Sequence, residues 1–180
     1  CKNGGMQANF HPRPVRKALS NAAPRKTDVL ILGAGAAGLM CAREASAHGL
    51  DVALLERAPS PGRKLCISGG GKANFTNRRL TAHHYACADP SFCEPALDAF
   101  TPQDMERLVH GWGLPVEERA HGQLFLTVPA KRLLDALVQD CRRQGCALHC
   151  QTDVHDVVPL PDGAGFEVGS SQGLWRCRRL

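Results

Sequence analysis

The sequence has no apolar run that approaches the length of a membrane-spanning helix, and no apolar segment typical of a secretory signal follows its basic N-terminal residues. None of its nine cysteines forms a C-x-x-C pair, and their odd number and scattered positions do not suggest a disulfide framework. The sequence therefore predicts a protein without a membrane partner, in a reduced, cytoplasmic setting. It favours no particular oligomeric state.

Acidic residues are missing from the first part of the chain. Residues 1–26 contain six basic residues and no acid, whereas the rest of the chain has 16 basic and 17 acidic residues, out of totals of 22 and 17. The formal net charge of +5 therefore belongs to a tail rather than to a basic groove, which argues against a nucleic-acid partner. Because this tail is polar and lacks apolar periodicity, we expect a disordered basic tail over residues 1–26 and a folded domain over residues 27–180.

A glycine-rich turn between two short apolar strands is the main feature of the folded part. Residues 27–56 read TDVLILGAGAAGLMCAREASAHGLDVALLE. The pattern predicts a strand over 29–32, a helix over 36–48 that Gly49 stops, and a second strand over 52–55. This order of strand, G-x-G-x-x-G turn, helix, strand and terminal acid predicts the βαβ unit of an α/β, Rossmann-like dinucleotide-binding domain.

The residues of this turn suit a bound pyrophosphate. Gly33 permits the tight turn out of the strand, Gly35 lets the backbone approach the ligand, and Gly38 lets the helix pack closely. The N–H groups at the helix N-terminus attract phosphate. The candidate phosphate-binding residues are Gly33, Ala34, Gly35, Ala36, Ala37 and Gly38.

The acid at the end of the second strand bears on the type of cofactor. Glu56 lies where a carboxylate accepts hydrogen bonds from the adenosine ribose hydroxyls, and it would repel a 2′-phosphate. NADP is therefore disfavoured in this position, while FAD and NAD both remain. Arg57 follows directly, and its side chain can point toward the ligand or away from it.

A second glycine cluster follows the second strand. Residues 62–77 read GRKLCISGGGKANFTN. Three consecutive glycines predict a loop whose backbone can lie flat against a ligand, with basic side chains near a pyrophosphate. On composition alone a flexible surface loop with solvated lysines fits as well. The candidate cofactor-binding residues of this segment are Arg63, Lys64, Ser68, Gly69, Gly70, Gly71, Lys72 and Asn74.

Together these motifs resemble the BaiN-type NAD(P)/FAD-dependent oxidoreductases, also described as aminoacetone-oxidase-family FAD-binding enzymes. The family form of the second motif is close to GRKLLISGGGRCNVTN, and the resemblance extends loosely to residue 180. It implies a flavoprotein oxidoreductase that binds FAD through both glycine segments, takes a small-molecule substrate and has NAD(P)H as a possible electron donor. It also implies a contact between adenine and the backbone of Val154, just after the third parallel strand.

The chain departs from the family pattern in two respects. Lys72 and Ala73 stand where the family often has Arg-Cys, so the charge is kept and a thiol is lost. Family members also continue far beyond 180 residues, into a further sheet strand and a substrate domain. We therefore expect the N-terminal part of an FAD-binding domain with a sheet that is short of strands, and we nominate no catalytic acid or base.

The rest of the chain predicts further elements of such a domain. A helix begins at Thr101 and ends near Gly111, and residues 124–128 form a strand. A helix over 129–144 with one apolar face leads into a third parallel strand over 146–150. Three short strands near 154–159, 165–169 and 174–178 predict a β-meander as the crossover of the fold.

Other functions fit the sequence less well. A disulfide oxidoreductase would need a partner for Cys66, and a NAD-only dehydrogenase has no use for the triple-glycine loop. A non-catalytic module whose basic tail binds an acidic partner stays as an alternative of another class. The segment His83-His84-x-x-Cys87, with Cys93, matches no structural zinc pattern, so we predict no metal site.

Overall fold

The computed structural model describes residues 23–86 and 88–180. Two sheets, five helices and four short 3₁₀ helices make up this part of the chain. The strands are β1 (Arg25–Leu32), β2 (Val52–Leu55), β3 (Asn74–Asn77), β4 (Val116–Glu118), β5 (Gln123–Leu126), β6 (Ala147–His149), β7 (Val154–Pro159), β8 (Phe166–Ser170) and β9 (Gly173–Arg179). The helices are α1 (Ala36–Ala47), α2 (Arg63–Gly71), α3 (Glu94–Ala99), α4 (Pro102–Gly111) and α5 (Lys131–Arg143). The 3₁₀ helices are Ala82–His84, Pro90–Cys93, Ala120–Gly122 and Pro161–Gly163.

The larger sheet has six strands in the order β6-β2-β1-β9-β8-β7. The first four strands are parallel, and β9, β8 and β7 form an antiparallel meander. Strand β9 belongs to both parts, because it pairs antiparallel with β8 and parallel with β1. The predicted class, α/β with a parallel sheet and a β-meander crossover, is therefore confirmed.

Strand β2 is buried along its whole length, which explains why it is a continuous apolar run. Helices α1 and α5 cover one face of the sheet, where Leu39 and Leu137 pack against Val52 and Leu54. On the other face, side chains of β1 and β2 form a second buried cluster with side chains of the meander strands β8 and β9. There the buried cluster consists of Leu30, Ala53, Leu55, Val168, Trp175 and Cys177.

A smaller antiparallel sheet in the order β3-β5-β4 lies beside these layers. It has its own apolar cluster, in which Leu126 packs with Val109 of α4 and with Ala130 and Leu133 next to or within α5. Strand β5 corresponds to the strand predicted over 124–128. It joins this small sheet and not the parallel one.

The helix boundaries follow the local signals in the sequence. At α4 the side chain of Thr101 accepts a hydrogen bond from the Asp104 N–H at 3.2 Å, and the Asp104 carboxylate accepts one from the Thr101 N–H at 2.8 Å. This reciprocal cap satisfies two of the free N–H groups at the helix start, where Pro102 contributes none. Gly49, with φ of +76°, follows α1 as predicted.

One expectation about the start of the domain is wrong. Strand β1 begins at Arg25 and not at residue 29, because Arg25 and Lys26 pair with Trp175 and Arg176 of β9. These two residues therefore belong to the sheet and not to the predicted tail, of which residues 1–22 lie outside the described part. The same pairing places β9, which we predicted as a meander strand, parallel to β1, while the expectation of a sheet short of strands stays a prediction.

The prediction of a loop at the second glycine cluster is only partly right. Residues 63–71 form α2, although Ser68, Gly69 and Gly70 leave helical geometry, and β3 follows at once. None of the described helices is long and apolar enough to cross a membrane.

Candidate cofactor site

The first glycine turn has the geometry that its sequence predicts. Gly33 has a φ of +101°, which side-chain-bearing residues rarely adopt, and its N–H donates to the Leu55 carbonyl at 2.7 Å. A Cβ on Gly38 would lie 2.0 Å from the Gly33 carbonyl oxygen. Gly38 thus has to be glycine because α1 packs directly on the turn that precedes it.

The N-terminus of α1 is open toward the side where a ligand would bind. Gly35 is its N-cap, in extended geometry, and no side chain caps the helix. A Cβ on Gly35 would meet nothing within 4 Å, so the absence of a side chain leaves space rather than permitting a close contact within the fold. Free N–H groups and the helix dipole at such a position favour a phosphate group.

Glu56 fixes this turn to the end of β2. Its carboxylate accepts hydrogen bonds from the N–H of Ala34 and from the N–H of Ala58, each at 2.7 Å. Ala34 is fully buried, and its carbonyl accepts a hydrogen bond from the Gly62 N–H at 2.8 Å. One residue of the turn therefore connects β2, the start of α1 and the start of α2.

A cleft of about 820 Å³ opens beside Glu56. Arg63, Lys64 and Ile67 line it from one face of α2, since residues three and four apart share a helix face. Neither Arg63 nor Lys64 has an acidic partner among the described residues, and Ile67 is 75% exposed. The full lining is Glu56, Arg57, Ala58, Pro59, Arg63, Lys64 and Ile67.

The cleft thus brings together four predicted residues, Glu56, Arg57, Arg63 and Lys64. Its three apolar residues were not predicted from the sequence. No local signal distinguishes Ile67 from its apolar neighbours Leu65 and Cys66, which pack against the core. An apolar wall opposite a carboxylate and two cations suits a nucleoside next to a pyrophosphate.

Main-chain bonds hold the neighbouring loop against the carboxyl ends of β2 and β6. The Glu56 N–H donates to the His149 carbonyl at 2.8 Å, and the Glu56 carbonyl accepts from the Thr152 N–H at 2.9 Å. Arg57 turns away from the sheet and pairs with Asp153 at 3.0 Å. Burial, together with the charge of Arg25, lowers the pKa of His149, so its ring is neutral at pH 7.

The glycine triplet lies outside the walls of this cleft, at the far end of α2. Gly69, Gly70 and Gly71 all have positive φ, and a Cβ on Gly69 would lie 2.5 Å from the Asn74 nitrogen. The backbone of the segment is fixed, because the Gly71 carbonyl accepts from the Ala130 N–H at 2.7 Å. Cβ positions on Gly70 and Gly71 would meet nothing within 4 Å. The triplet therefore presents a rigid and open backbone surface.

The polar residues around the triplet are held by the fold. The Ser68 hydroxyl donates to the Leu65 carbonyl at 2.7 Å, and the Lys72 ammonium donates to the Thr127 carbonyl at 2.8 Å. The exposed Asn74 begins β3, and its amide can donate to the Leu124 carbonyl. Ser68, Lys72 and Asn74 thus have partners within the chain, and their contact with a cofactor stays a prediction.

Val154 is partly buried and packs against the cluster on the meander side of the sheet. It begins β7 opposite Ser170 and is not part of the cleft lining. The predicted contact of its backbone with adenine stays a prediction. Among residues 23–86 and 88–180, no group of three or more His, Cys, Asp or Glu side chains is arranged to hold a metal ion.

Comparison with known proteins gives a family for this arrangement. Residues 27–180 match the family described as HI0933-like protein Rossmann domain. The chain belongs to this family. The narrower assignment to the BaiN type goes beyond this match.

Individual members and neighbours of the HI0933-like family agree with the fold. The chain is 35% identical to the ribosomal RNA dihydrouridine synthase of Escherichia coli (strain K12) over 153 residues, which cover 85% of the chain and 38% of that protein. It is 29% identical to the 3-dehydro-bile acid delta(4,6)-reductase of Clostridium scindens over 116 residues, 63% of the chain and 28% of that protein. Among solved structures, it resembles the 3-ketosteroid-delta4-(5alpha)-dehydrogenase of Rhodococcus jostii RHA1 with a TM-score of 0.63 at 17% identity, over 88% of this chain and 45% of that one.

The chain spans about two fifths of the length of the first of these relatives. The residues present fit FAD on structural grounds: an uncapped helix N-terminus with open space at Gly35, a carboxylate at the end of β2, and two cations beside it. Gly33 to Gly38, Arg63 and Lys64 would hold its pyrophosphate, and Glu56 its ribose. The HI0933-like chain is thus the cofactor-binding portion of an FAD-binding flavoprotein.

Proposed function

We propose that this chain is the cofactor-binding portion of a flavin-dependent reductase that converts uridine in ribosomal RNA to dihydrouridine. The observation that supports this substrate is the 35% identity to a ribosomal RNA dihydrouridine synthase over 153 residues. When bound, reduced FAD supplies a hydride that can be added to an electron-poor carbon–carbon double bond. NAD(P)H is the proposed source of electrons, so that uridine, NAD(P)H and a proton give dihydrouridine and NAD(P)⁺.

The contribution of this chain is to bind and orient the cofactor. The N-terminus of α1 and the cations Arg63 and Lys64 of α2 would both stabilise the charge of a pyrophosphate. The Glu56 carboxylate has about four acceptor positions and uses two of them within the fold, so it can still accept from ribose hydroxyls. Because Gly33 and Gly38 are locked by backbone contacts, the site is formed before the cofactor arrives.

A small-molecule substrate without a nucleic-acid partner is the competing proposal. It follows from the resemblance of the second glycine motif to BaiN-type enzymes and from the 29% identity to a bile acid reductase. Both named reactions reduce a carbon–carbon double bond conjugated to a carbonyl, so the proposed chemistry is the same and only the substrate differs. The RNA substrate is preferred because that relative matches more residues at higher identity. An RNA substrate also favours a cytoplasmic location.

The test of the cofactor uses the 180-residue chain. We expect a flavin absorbance band after incubation with FAD and gel filtration, and no such band for Gly35→Val. A folded chain that retains no flavin would contradict the proposed cofactor site.

The test of the substrate uses cells in which the gene containing this chain is disrupted. Nucleoside mass spectrometry of their ribosomal RNA should show less dihydrouridine, and the intact gene should restore it while a Gly35→Val copy should not. Unchanged dihydrouridine would overturn the RNA proposal and leave the small-molecule one. Reduction of a bile-acid dienone by the intact protein would then support the latter.

A further inference from the structure

We infer that Ser171 and Gln172, on the turn between β8 and β9, are positioning residues for the ribose-binding carboxylate of Glu56. The inference rests on the proposed cofactor site, not on the choice of substrate, and adds the residues that hold Glu56 from outside the cleft. Both residues are exposed, and neither lines the cleft. They act through residues 150–153, termed the connecting loop below, which contact both the turn and the cleft wall.

The connecting loop holds the cleft wall through its main chain. The Gln151 N–H donates to the Ala58 carbonyl at 3.0 Å, and the Thr152 N–H donates to the Glu56 carbonyl at 2.9 Å. Glu56 and Ala58 both line the cleft, and the Glu56 carboxylate accepts from the Ala58 N–H at 2.7 Å. These hydrogen bonds together fix the backbone that carries the carboxylate.

The conformation of the connecting loop is one that persists only where its surroundings impose it. Gln151 has a φ of +53°, in the left-handed region that side-chain-bearing residues rarely adopt. Its side chain is exposed, so packing in the core does not hold it there. Thr152, in contrast, is 2% exposed, and its hydroxyl donates to the Cys150 carbonyl at 3.1 Å. The loop is therefore held from within at Thr152, and its outer side depends on other partners.

The turn between β8 and β9 supplies these partners. The Gln172 side-chain amide donates to the Cys150 carbonyl at 3.1 Å, so this carbonyl accepts from both Thr152 and Gln172. The Ser171 hydroxyl accepts from the Asp153 N–H at 3.0 Å, and the Ser171 N–H donates to the Asp153 carbonyl at 2.8 Å. The first and the last residue of the connecting loop are therefore both bonded to the turn.

Ser170 fixes the turn itself. It is fully buried, and its hydroxyl donates to the Gly173 carbonyl at 2.8 Å and accepts from the Gln172 N–H at 3.3 Å. Ser170 also pairs with Val154, where β7 begins directly after the connecting loop. A change in the bonds of the turn is therefore transmitted to the loop at both of its ends, and from the loop to the cleft wall.

This arrangement separates the position of the carboxylate from the stability of the domain. Because Ser171 and Gln172 are exposed, removal of their side chains leaves the buried clusters intact and should cost little stability. The same removal lets the connecting loop, and with it the backbone of Glu56, adopt other positions. The effect should therefore appear in the recognition of the ribose hydroxyls rather than in unfolding.

The test compares FAD with its 2′,3′-dideoxyadenosine analogue, which lacks the two hydroxyls that would donate to Glu56. Quenching of flavin fluorescence gives both dissociation constants for the flavin-free form of the intact protein containing this chain. We expect the unmodified protein to bind FAD about 10- to 100-fold more tightly than the analogue, since the acceptor is charged. Ser171→Ala/Gln172→Ala should lower this ratio about fivefold, as for the loss of two exposed hydrogen bonds between neutral groups.

Single substitutions show which group acts. Ser171→Thr keeps the hydroxyl and should keep the ratio of the unmodified protein. Gln172→Glu keeps the length of the side chain but replaces the N–H donor with an acceptor, so it should lower the ratio as Gln172→Ala does. Gln139→Ala, at an exposed glutamine on α5, is the matched control and should leave the ratio unchanged.

The outcomes distinguish failure of the inference from failure of the cofactor site. A lower ratio at a nearly unchanged melting temperature supports the inference. If the double variant weakens the binding of FAD and of the analogue equally, or of neither, then the turn does not position Glu56, and the inference is overturned while the cofactor site stands. If the unmodified protein itself binds both compounds equally, Glu56 does not bind the ribose, and the proposed site and the inference are both overturned.

Discussion

The carboxylate of Glu56 holds the buried residue Ala34 through a 2.7 Å hydrogen bond from the Ala34 backbone N–H. The sequence suggests Glu56 only as a ligand for ribose. In the structure the same side chain fixes the glycine turn, whose neighbouring N–H groups would bind the phosphate. Binding of ribose and alignment of the phosphate site would therefore depend on one residue.

Glu56→Gln should weaken FAD binding about tenfold, because a hydrogen bond to a charged group is replaced by one to a neutral group. The amide also has only one oxygen for the two N–H donors at Ala34 and Ala58. We therefore expect a loss of about 1–2 kcal/mol in the free energy of unfolding as well. Quenching of flavin fluorescence and chemical denaturation measure the two effects. Glu44→Gln, an exposed acid on α1, is the control, and equal effects in both variants would refute this role of Glu56.

Gly35→Ala and Gly38→Ala should separate ligand binding from folding. The new methyl group at residue 35 meets nothing within 4 Å, so the melting temperature should stay the same while FAD affinity falls. At residue 38 the methyl would lie 2.0 Å from the Gly33 oxygen. The melting temperature and the FAD affinity should therefore both fall, and the free energy of unfolding should decrease by about 3 kcal/mol.

Gly111→Ala at the end of α4 is the control for this pair, because its added methyl also has open space and its φ is not positive. It should leave FAD binding and the melting temperature nearly unchanged. If Gly35→Ala unfolds the domain, or binds FAD as well as the original chain, then Gly35 does not face the cofactor.

Asp140 on α5 connects three helices and gives the domain a defined acid sensitivity. Its carboxylate pairs with Arg43 of α1 at 2.7 Å and with Arg143 at 3.2 Å, and it accepts from the Trp112 indole N–H at 3.4 Å. Burial opposes its ionisation, but these partners outweigh burial and hold the pKa of Asp140 below its ordinary value of 3.8. The resulting stability is present above pH 3.8 and is lost as the pH falls through the lowered value.

Asp140→Asn should accordingly lower the free energy of unfolding by about 2 kcal/mol at pH 7 and by progressively less below pH 4. Urea denaturation at a series of pH values measures this difference. Asp135→Asn, which removes an exposed pair with Lys131, should have little effect at any pH. If the two chains differed in free energy of unfolding by the same amount down to pH 2, the ionised Asp140 carboxylate would not be the source of the stability.

The two cysteines under α1 should resist thiol reagents in the folded domain. Burial raises the pKa of both the Cys141 and the Cys146 thiols to about 11, so almost no thiolate is present at neutral pH. Cys41 is exposed and should react first. Peptide mass spectrometry after timed iodoacetamide treatment measures the order of labelling. Modification of Cys141 as fast as that of Cys41 would show that α5 does not pack as described.

The sequence predicts well those parts of the fold that local patterns determine. The βαβ unit, the cap of α4 and the three meander strands follow from glycine positions, capping residues and short apolar runs. Glu56, Arg63 and Lys64, which the sequence assigns to one site, line one cleft in the structure, and their contact with a cofactor stays a prediction.

Features that depend on pairing between distant segments were not predicted. Arg25 and Lys26 have the composition of a solvated tail, and they become a strand only because β9 offers backbone partners. In the same way, Ile67 joins the cleft through the orientation of α2, which begins after Gly62, where a Cβ would lie 2.3 Å from the Leu134 side chain. Neither fact is visible in the local periodicity.

The double pairing of β9 also constrains how the domain is made. Asp28 on β1 and Arg178 on β9 are 150 residues apart in the chain. In the fold, the Arg178 guanidinium donates to the Asp28 carboxylate at 3.4 Å. During synthesis, β1 can pair with β2 early, but its other edge stays open until β9, residues 173–179, has left the ribosome. Such long-range closure slows folding and exposes a strand edge to aggregation in the meantime. The nascent domain should therefore depend on chaperones more than its short, local βαβ unit suggests.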